Sequence, residues 1–277
     1  MKSKLLILAS TLLLASCWDT KTAKEQQTDE TGDSLAQTEK LEFRKCNYNV
    51  KKKVLDGEVP NYTINIDVKY TDGNSKAARR INRQLSAFLF GNTTMSFEEA
   101  KNHFADSIKT EYEKELKEFY DPDNEYQDSY AYEYTQTGKV SENAPEGIVA
   151  YTNRIEMYTG GAHGGALESY INFDKATGKM ITCKELFGEK QDDVLKLIKE
   201  QIIRDNDCKT EAELEEKRSI FSLGDVYINN YNFRIEKDGI LFCYNPYEIA
   251  PWSEGFICAK LTYKQLEGLI NRNIIKE

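Results

Sequence analysis

An α+β fold built from two small pieces is what this sequence predicts, on three observations. Runs with period-two alternation interleave with runs at helical spacing, without the regular strand–helix repeat of a parallel sheet. Turn signals such as Lys237-Asp238-Gly239 join neighbouring strands directly, which makes the sheets mostly antiparallel. Tyrosine is abundant, with 17 Tyr beside 12 Phe, and aromatic residues favour strands and wet, ring-lined surfaces.

Residues 62–70 (YTINIDVKY) alternate apolar and polar and predict a half-buried strand, which Asp72-Gly73-Asn74 turns. Ala77, Ala78, Ile81, Leu85, Phe88 and Leu89 follow at helical spacing. A second helix opens at Ser96, with Glu99 completing a capping box. Its apolar stripe is Phe97, Phe104, Ile108, Tyr112, Leu116 and Phe119, and Asp121-Pro122-Asp123 ends it. Strands are expected over 129–137, 147–158 and 167–173. A short helical turn over 183–187 then leads to an amphipathic helix carrying Val194, Leu197, Ile198, Ile202 and Ile203. Residues 211–219 read as a charged, solvated helix, 233–235 and 240–244 as a hairpin, and 256–261 as a strand. A last helix is expected from Thr262 through Leu266, Leu269 and Ile270. No internal repeat of fixed period is present.

The start of the chain predicts an address. Lys2 and Lys4 precede an apolar run over 5–15, too short to span a bilayer as a folded helix but suited to a signal-peptide core. Leu14-Ala15-Ser16-Cys17 looks like a lipobox, so residues 1–16 are expected to be removed and Cys17 to be lipidated (palmitate among the chains), anchoring the protein without a spanning helix. Trp18 after that cysteine is no retention signal of the aspartate type, which favours an outer membrane. Residues 17–40 hold few apolar side chains and read as a disordered tether. The folded pieces are then expected over 41–157 and 158–277.

Composition excludes some partners. The formal charge is -9, and losing Lys2 and Lys4 takes it to about -11, so phosphate backbones and anionic headgroups are repelled and nucleic acid is not expected. Solubility alone accounts for such a surface, and a basic protein would also be drawn to it. With Cys17 modified, five cysteines remain, an odd number, and neither a Cys-x-x-Cys pair nor enough histidine exists for a zinc site. Cys243 and Cys258 flank the last hairpin and either pair across it or are buried as small hydrophobes. No metal or cofactor is expected.

Two segments carry the candidate site. Residues 158–165 (YTGGAHGG) place four of the 16 glycines around one of only two histidines. Neither a phosphate cradle nor a nucleophile elbow fits this spacing. His163 either fixes its loop, contacts a ligand or acts in catalysis. Residues 245–255 (NPYEIAPWSEG) contain two of five prolines, which stiffen the loop, and two amphipathic rings, Tyr247 and Trp252. Those rings either cap the core beneath the loop or serve as interface anchors. The ligand-binding candidates are Tyr158, Gly160, Gly161, His163, Tyr247, Glu248 and Trp252. Asp121, Asp123 and Glu125 begin like a calcium loop, but Tyr126 stands where glycine is needed.

Taken with Asn172-Phe173-Asp174, Thr177-Gly178-Lys179, Lys184-Glu185-Leu186-Phe187 and Leu261-Thr262-Tyr263-Lys264-Gln265-Leu266, these loops make residues 158–270 resemble a bacterial domain-of-unknown-function family. That family forms the extracellular half of RsiV-type, lysozyme-sensing anti-sigma factors and the N-terminal region of PdaC-type peptidoglycan deacetylases. The resemblance implies two α+β pieces, the C-terminal one related to a subdomain of the actin-like Hsp70 ATPases. It implies no ATP binding, because the phosphate-binding parts of those ATPases have no counterpart here. The expected function is that of a lipid-anchored envelope module that binds or senses lysozyme or a cell-wall ligand without catalysis. Two alternatives stand beside it: a hydrolase or accessory factor acting on peptidoglycan or glycans through His163, and a structural partner in an envelope lipoprotein complex.

Overall fold

The structure, a computed structural model, describes residues 41–54 and 61–275. The signal peptide, Cys17 and the tether lie outside the described residues. Within Lys40–Glu277, which forms one unit, strands β1 (Phe43–Lys53), β2 (Asn61–Thr71), β3 (Tyr132–Val140), β4 (Ile148–Tyr158) and β5 (Gly165–Asp174) make a five-stranded sheet in that order. Every pairing is antiparallel except β2 with β3. That pair is parallel because two helices, α1 (Lys76–Phe90) and α2 (Phe97–Phe119), carry the chain back across the sheet.

Helix α1 is capped by Ser75, whose hydroxyl accepts from the Ala78 N–H, and stops at Gly91 in the left-handed region. Helix α2 starts with the expected Ser96–Glu99 capping box. Both bury their apolar stripes on one face of the sheet, where Tyr62, Ile64, Ile66 and Val68 of β2 and Tyr132 and Tyr134 of β3 are fully or almost fully buried. Rings dominate this core: Tyr70 stacks on Phe97 at 4.8 Å, and Phe104 meets Tyr134 edge-on at 5.9 Å. Phe119, expected in the stripe, is instead 55% exposed, although Leu116 of the same last turn is buried.

Tyr151 shows how the sheet is closed. Its hydroxyl donates to the Lys69 carbonyl at 2.9 Å and accepts from the Lys69 N–H at 3.1 Å, so the phenol replaces a ladder step beyond the Val68–Gly138 pair. A Cβ at position 138 would lie 2.1 Å from that oxygen, which is why glycine is needed there.

The rest of the chain packs on the other face, at β4 and β5. Helices α3 (Cys183–Phe187), α4 (Gln191–Asp205) and α5 (Glu211–Arg218) surround a three-stranded antiparallel sheet of β6 (Phe233–Glu236), β7 (Gly239–Tyr244) and β8 (Ile257–Thr262). Their core includes Ile148 and Ala150 of β4 together with Leu186, Val194, Ile198, Phe233, Phe242 and Leu261. Strand β5 lies beyond the 157/158 boundary expected from the sequence, yet it is the fifth strand of the first sheet. The two halves therefore share β4 and β5 as common ground.

Three readings need correction. Strand β1 was not expected, because only Cys46 of its 11 residues is buried and the rest are mostly Lys, Arg and Asn of an edge strand. Strand β3 begins at Tyr132 rather than 129, since residues Gln127–Tyr130 form a 3-10 turn. The helix expected from Thr262 is a series of turns: Gly268 takes a φ of 77° and halts it, although Leu266 is fully buried as foreseen. Cys243 and Cys258 pair directly across β7 and β8 and are bridged, leaving Cys46, Cys183 and Cys208 free. Among the described residues, no helix is long and apolar enough to cross a membrane.

Glu236 centres an ion-pair cluster within the second sheet and reaches the first half through Asn143. Its carboxylate accepts from Arg234 at 2.7 Å, from Lys260 at 2.9 Å and from Asn143 at 3.1 Å, while being 5% exposed. Burial opposes its ionisation, but the two cations outweigh burial and hold its pKa below the ordinary 4.5. A depressed carboxylate pKa contributes stability that is present above 4.5 and is lost as the pH falls below it. Glu236→Gln is therefore expected to be less stable than the parent at pH 7, with the gap in urea midpoint closing as the pH drops below 4.5. A gap independent of pH would show that the ion pairs contribute nothing.

Candidate functional site

The loop joining β4 to β5 and the loop joining β7 to β8 meet, although 84 residues separate His163 from Tyr247. The His163 ring stacks on Trp252 at 4.3 Å with an interplanar angle of 21°. Its Nδ1 lies 2.8 Å from the Gly164 carbonyl, which can only accept, so that nitrogen carries the hydrogen. Nε2 faces the Tyr247 hydroxyl at 3.4 Å. Among the described residues these are the ring's partners, and none is a serine, a cysteine or a carboxylate.

Local geometry holds the three rings at the surface. Gly160 and Gly161 have φ of 85° and 94°, and a Cβ on Gly160 would lie 2.7 Å from the Ser129 carbonyl. Tyr158 donates its hydroxyl to the Gly161 carbonyl at 3.0 Å and so braces the turn. In the second loop Glu248 has a structural task. It accepts from the backbone and side chain of Asn245 at 2.8 and 3.2 Å, and the Asn245 side-chain oxygen in turn accepts from the Glu168 N–H of β5 at 2.6 Å. Burial, with Glu248 alongside, pushes the Tyr227 hydroxyl's pKa well up. Arg218 of α5 clamps the far end through Glu254 at 2.5 Å.

Tyr247 is the outlier. A bulky side chain at φ 73° is strained, and the turn is locked by the Tyr247 N–H to Ala250 and the Glu248 N–H to Asn245. That conformation aims the ring outward. Tyr247 is 61% and Trp252 42% exposed, so neither caps the core.

Of the seven sequence candidates, His163, Tyr247 and Trp252 form the exposed cluster, while Tyr158, Gly160, Gly161 and Glu248 shape the loops that hold it. Two further rings were missed. Phe221, 53% exposed, bonds its N–H to the Ile249 carbonyl of the same loop. Tyr126, 73% exposed, belongs to the turn whose Ser129 abuts Gly160. Four of the six exposed large apolar residues among those described thus lie on or against these two loops.

With this geometry in hand, comparison with known proteins adds the following. Residues 184–264 match the model of DUF3298, a protein family of unknown function, and residues 56–166 match the model described as deacetylase PdaC. No curated protein matches the chain. A crystal structure of a DUF3298 family member from Bacteroides fragilis superposes with a TM-score of 0.75 at 24% identity, covering 86% of this chain and 97% of that one. A DUF3298 family protein from Pseudomonas aeruginosa gives 0.59 at 18% identity, over 87% and 99% of the two chains. This chain has the fold of those structures. The two model matches agree with a resemblance to a domain-of-unknown-function family and to PdaC.

Proposed function

We propose that the chain is a non-catalytic binding module, lipid-anchored through Cys17 in the cell envelope with the outer membrane favoured, that recognises a protein or cell-wall ligand. The observation carrying this reading is the exposed Tyr247–His163–Trp252 cluster, built from two distant loops and held by strained backbone. Rigid, solvent-facing aromatic rings in a group are what binding surfaces present and what a monomer otherwise hides. The RsiV-like resemblance makes lysozyme the first partner to consider. An acidic chain of formal charge -9 meeting a basic lysozyme is electrostatically complementary. The relationship of the C-terminal half to an Hsp70-like subdomain belongs to the same proposal, as a statement about descent and not about nucleotide binding.

Trp252→Ala and Tyr247→Ala test the site. Each is expected to weaken lysozyme binding at least tenfold, about 1.4 kcal/mol or more, without a comparable fall in melting temperature. Unchanged affinity in well-folded variants would remove the cluster from the interface.

A further inference from the structure

We propose that the cleft where the open face of the first sheet meets β6 is a binding site for a polyhydroxylated carboxylate, a sugar acid. Outside the stretch of β4 and β5 covered by the second core, the face of the sheet turned away from α1 and α2 is polar, and a register row crosses it as Asn47, Asp67, Thr137, Arg154 and Glu168. At the β3–β5 end, Arg234 of β6 walls that face into a cleft of about 330 Å³. That volume is at the lower end of small-molecule sites, which run roughly 300–1,000 Å³. It suits one substituted sugar ring.

Charge and rigidity define what fits. Three cations, Lys139, Arg154 and Arg234, and one carboxylate, Glu168, line the cleft; Glu156 and Glu236 also pair with the two guanidinium groups, which leaves Lys139 as the cation without an ion-pair partner among the described residues. The unpaired ammonium, beside guanidinium donors that are only partly used, favours an anion. Both guanidinium groups are held before any ligand arrives. Arg154 bonds Glu156 at 2.9 Å and Glu168 at 3.3 Å and lies over the Phe256 ring at 5.1 Å. Arg234 bonds Glu236 and, at 3.1 Å, the Thr152 hydroxyl, and lies over the Tyr170 ring at 5.3 Å. Each guanidinium has five N–H donors, more than these contacts use. Lys139 is exposed and has no ion-pair partner among the described residues, so its ammonium is free for a carboxylate. The remaining lining is hydroxyl-bearing (Thr137, Ser141 and Thr152) with Val140 as its one aliphatic side chain. Such walls match ligand hydroxyls and offer no seat for an apolar body.

This site goes beyond the aromatic cluster and does not depend on it. The test is a calorimetric titration of the full chain with D-glucuronate, with D-glucose and inorganic phosphate as comparison ligands. Glucuronate is expected to bind saturably, glucose and phosphate at least tenfold more weakly. Lys139→Ala, a change at an exposed side chain that leaves the fold alone, is expected to weaken glucuronate at least tenfold, whereas Trp252→Ala leaves it unchanged. The proposal is overturned by any of four results: no saturable glucuronate binding, phosphate binding as tightly, glucose binding as tightly, or loss in Trp252→Ala but not in Lys139→Ala. The last would move the ligand to the aromatic loops, so failure of this site and of the aromatic site are read separately.

Discussion

Asn172→Leu is expected to destabilise the protein by about 4 kcal/mol, since a buried polar group left without its partner costs roughly 1–3 kcal/mol and two are created. Asn172 on β5 is fully buried, and its carboxamide acts as a missing strand for the free edge of β6. Its nitrogen donates to the Phe233 carbonyl at 2.9 Å, and its oxygen accepts from the Ile235 N–H at 3.0 Å. Leucine is close in volume but pairs with neither, so both backbone groups are orphaned in the interior. For a unit of this size the melting temperature should fall by about 8–16 °C, at roughly 2–4 °C per kcal/mol. Asn102→Leu, at an exposed position on α2, should cost less than about 0.5 kcal/mol. Equal losses in the two variants would mean that Asn172 does not join the sheets.

Opening the Cys243–Cys258 bridge is the second large effect. The cysteines face each other across β7 and β8 with a Cα separation of 4.1 Å and a sequence separation of 15. Releasing a cross-link over about 15 residues costs roughly 3 kcal/mol in unfolded-chain entropy. The loop it closes is the one that carries Tyr247, Glu248 and Trp252. Cys243→Ala/Cys258→Ala is therefore expected to shift the urea midpoint down and to raise hydrogen exchange at the amides of that loop. Coincident denaturation curves for the parent and the double variant would contradict the prediction.

How far the fold could be read in advance depended on where its residues point. Strand β2 announces itself because Ile64, Ile66 and Val68 alternate with Asn65 and Asp67 on a half-buried ladder. The start of α2 was legible in the Ser96–Glu99 pair because capping is local chemistry. Strand β1 was illegible: an edge strand with one buried residue has no periodicity to show. The turns after Thr262 were misread as a helix because Leu266 and Leu269 keep helical spacing while Gly268 takes a left-handed conformation no pattern count weighs. In the site, the glycine density around His163 and the proline-stiffened 245–255 loop stood out individually. Their contact did not, since it depends on Asn245 reaching Glu168 across 77 positions. Phe221 and Tyr126 were missed because an exposed ring and a core ring look alike in a sequence. The cations of the cleft were likewise hidden, as ordinary polar members of alternating strands.

The most direct measurement is calorimetric titration of the protein with a c-type lysozyme at low and at near-physiological salt. Binding through the aromatic cluster predicts tight association that survives the higher salt, because ring burial is not screened. Heat that vanishes as salt rises would reduce the interaction to net-charge attraction, and no binding at either salt would contradict lysozyme as the partner.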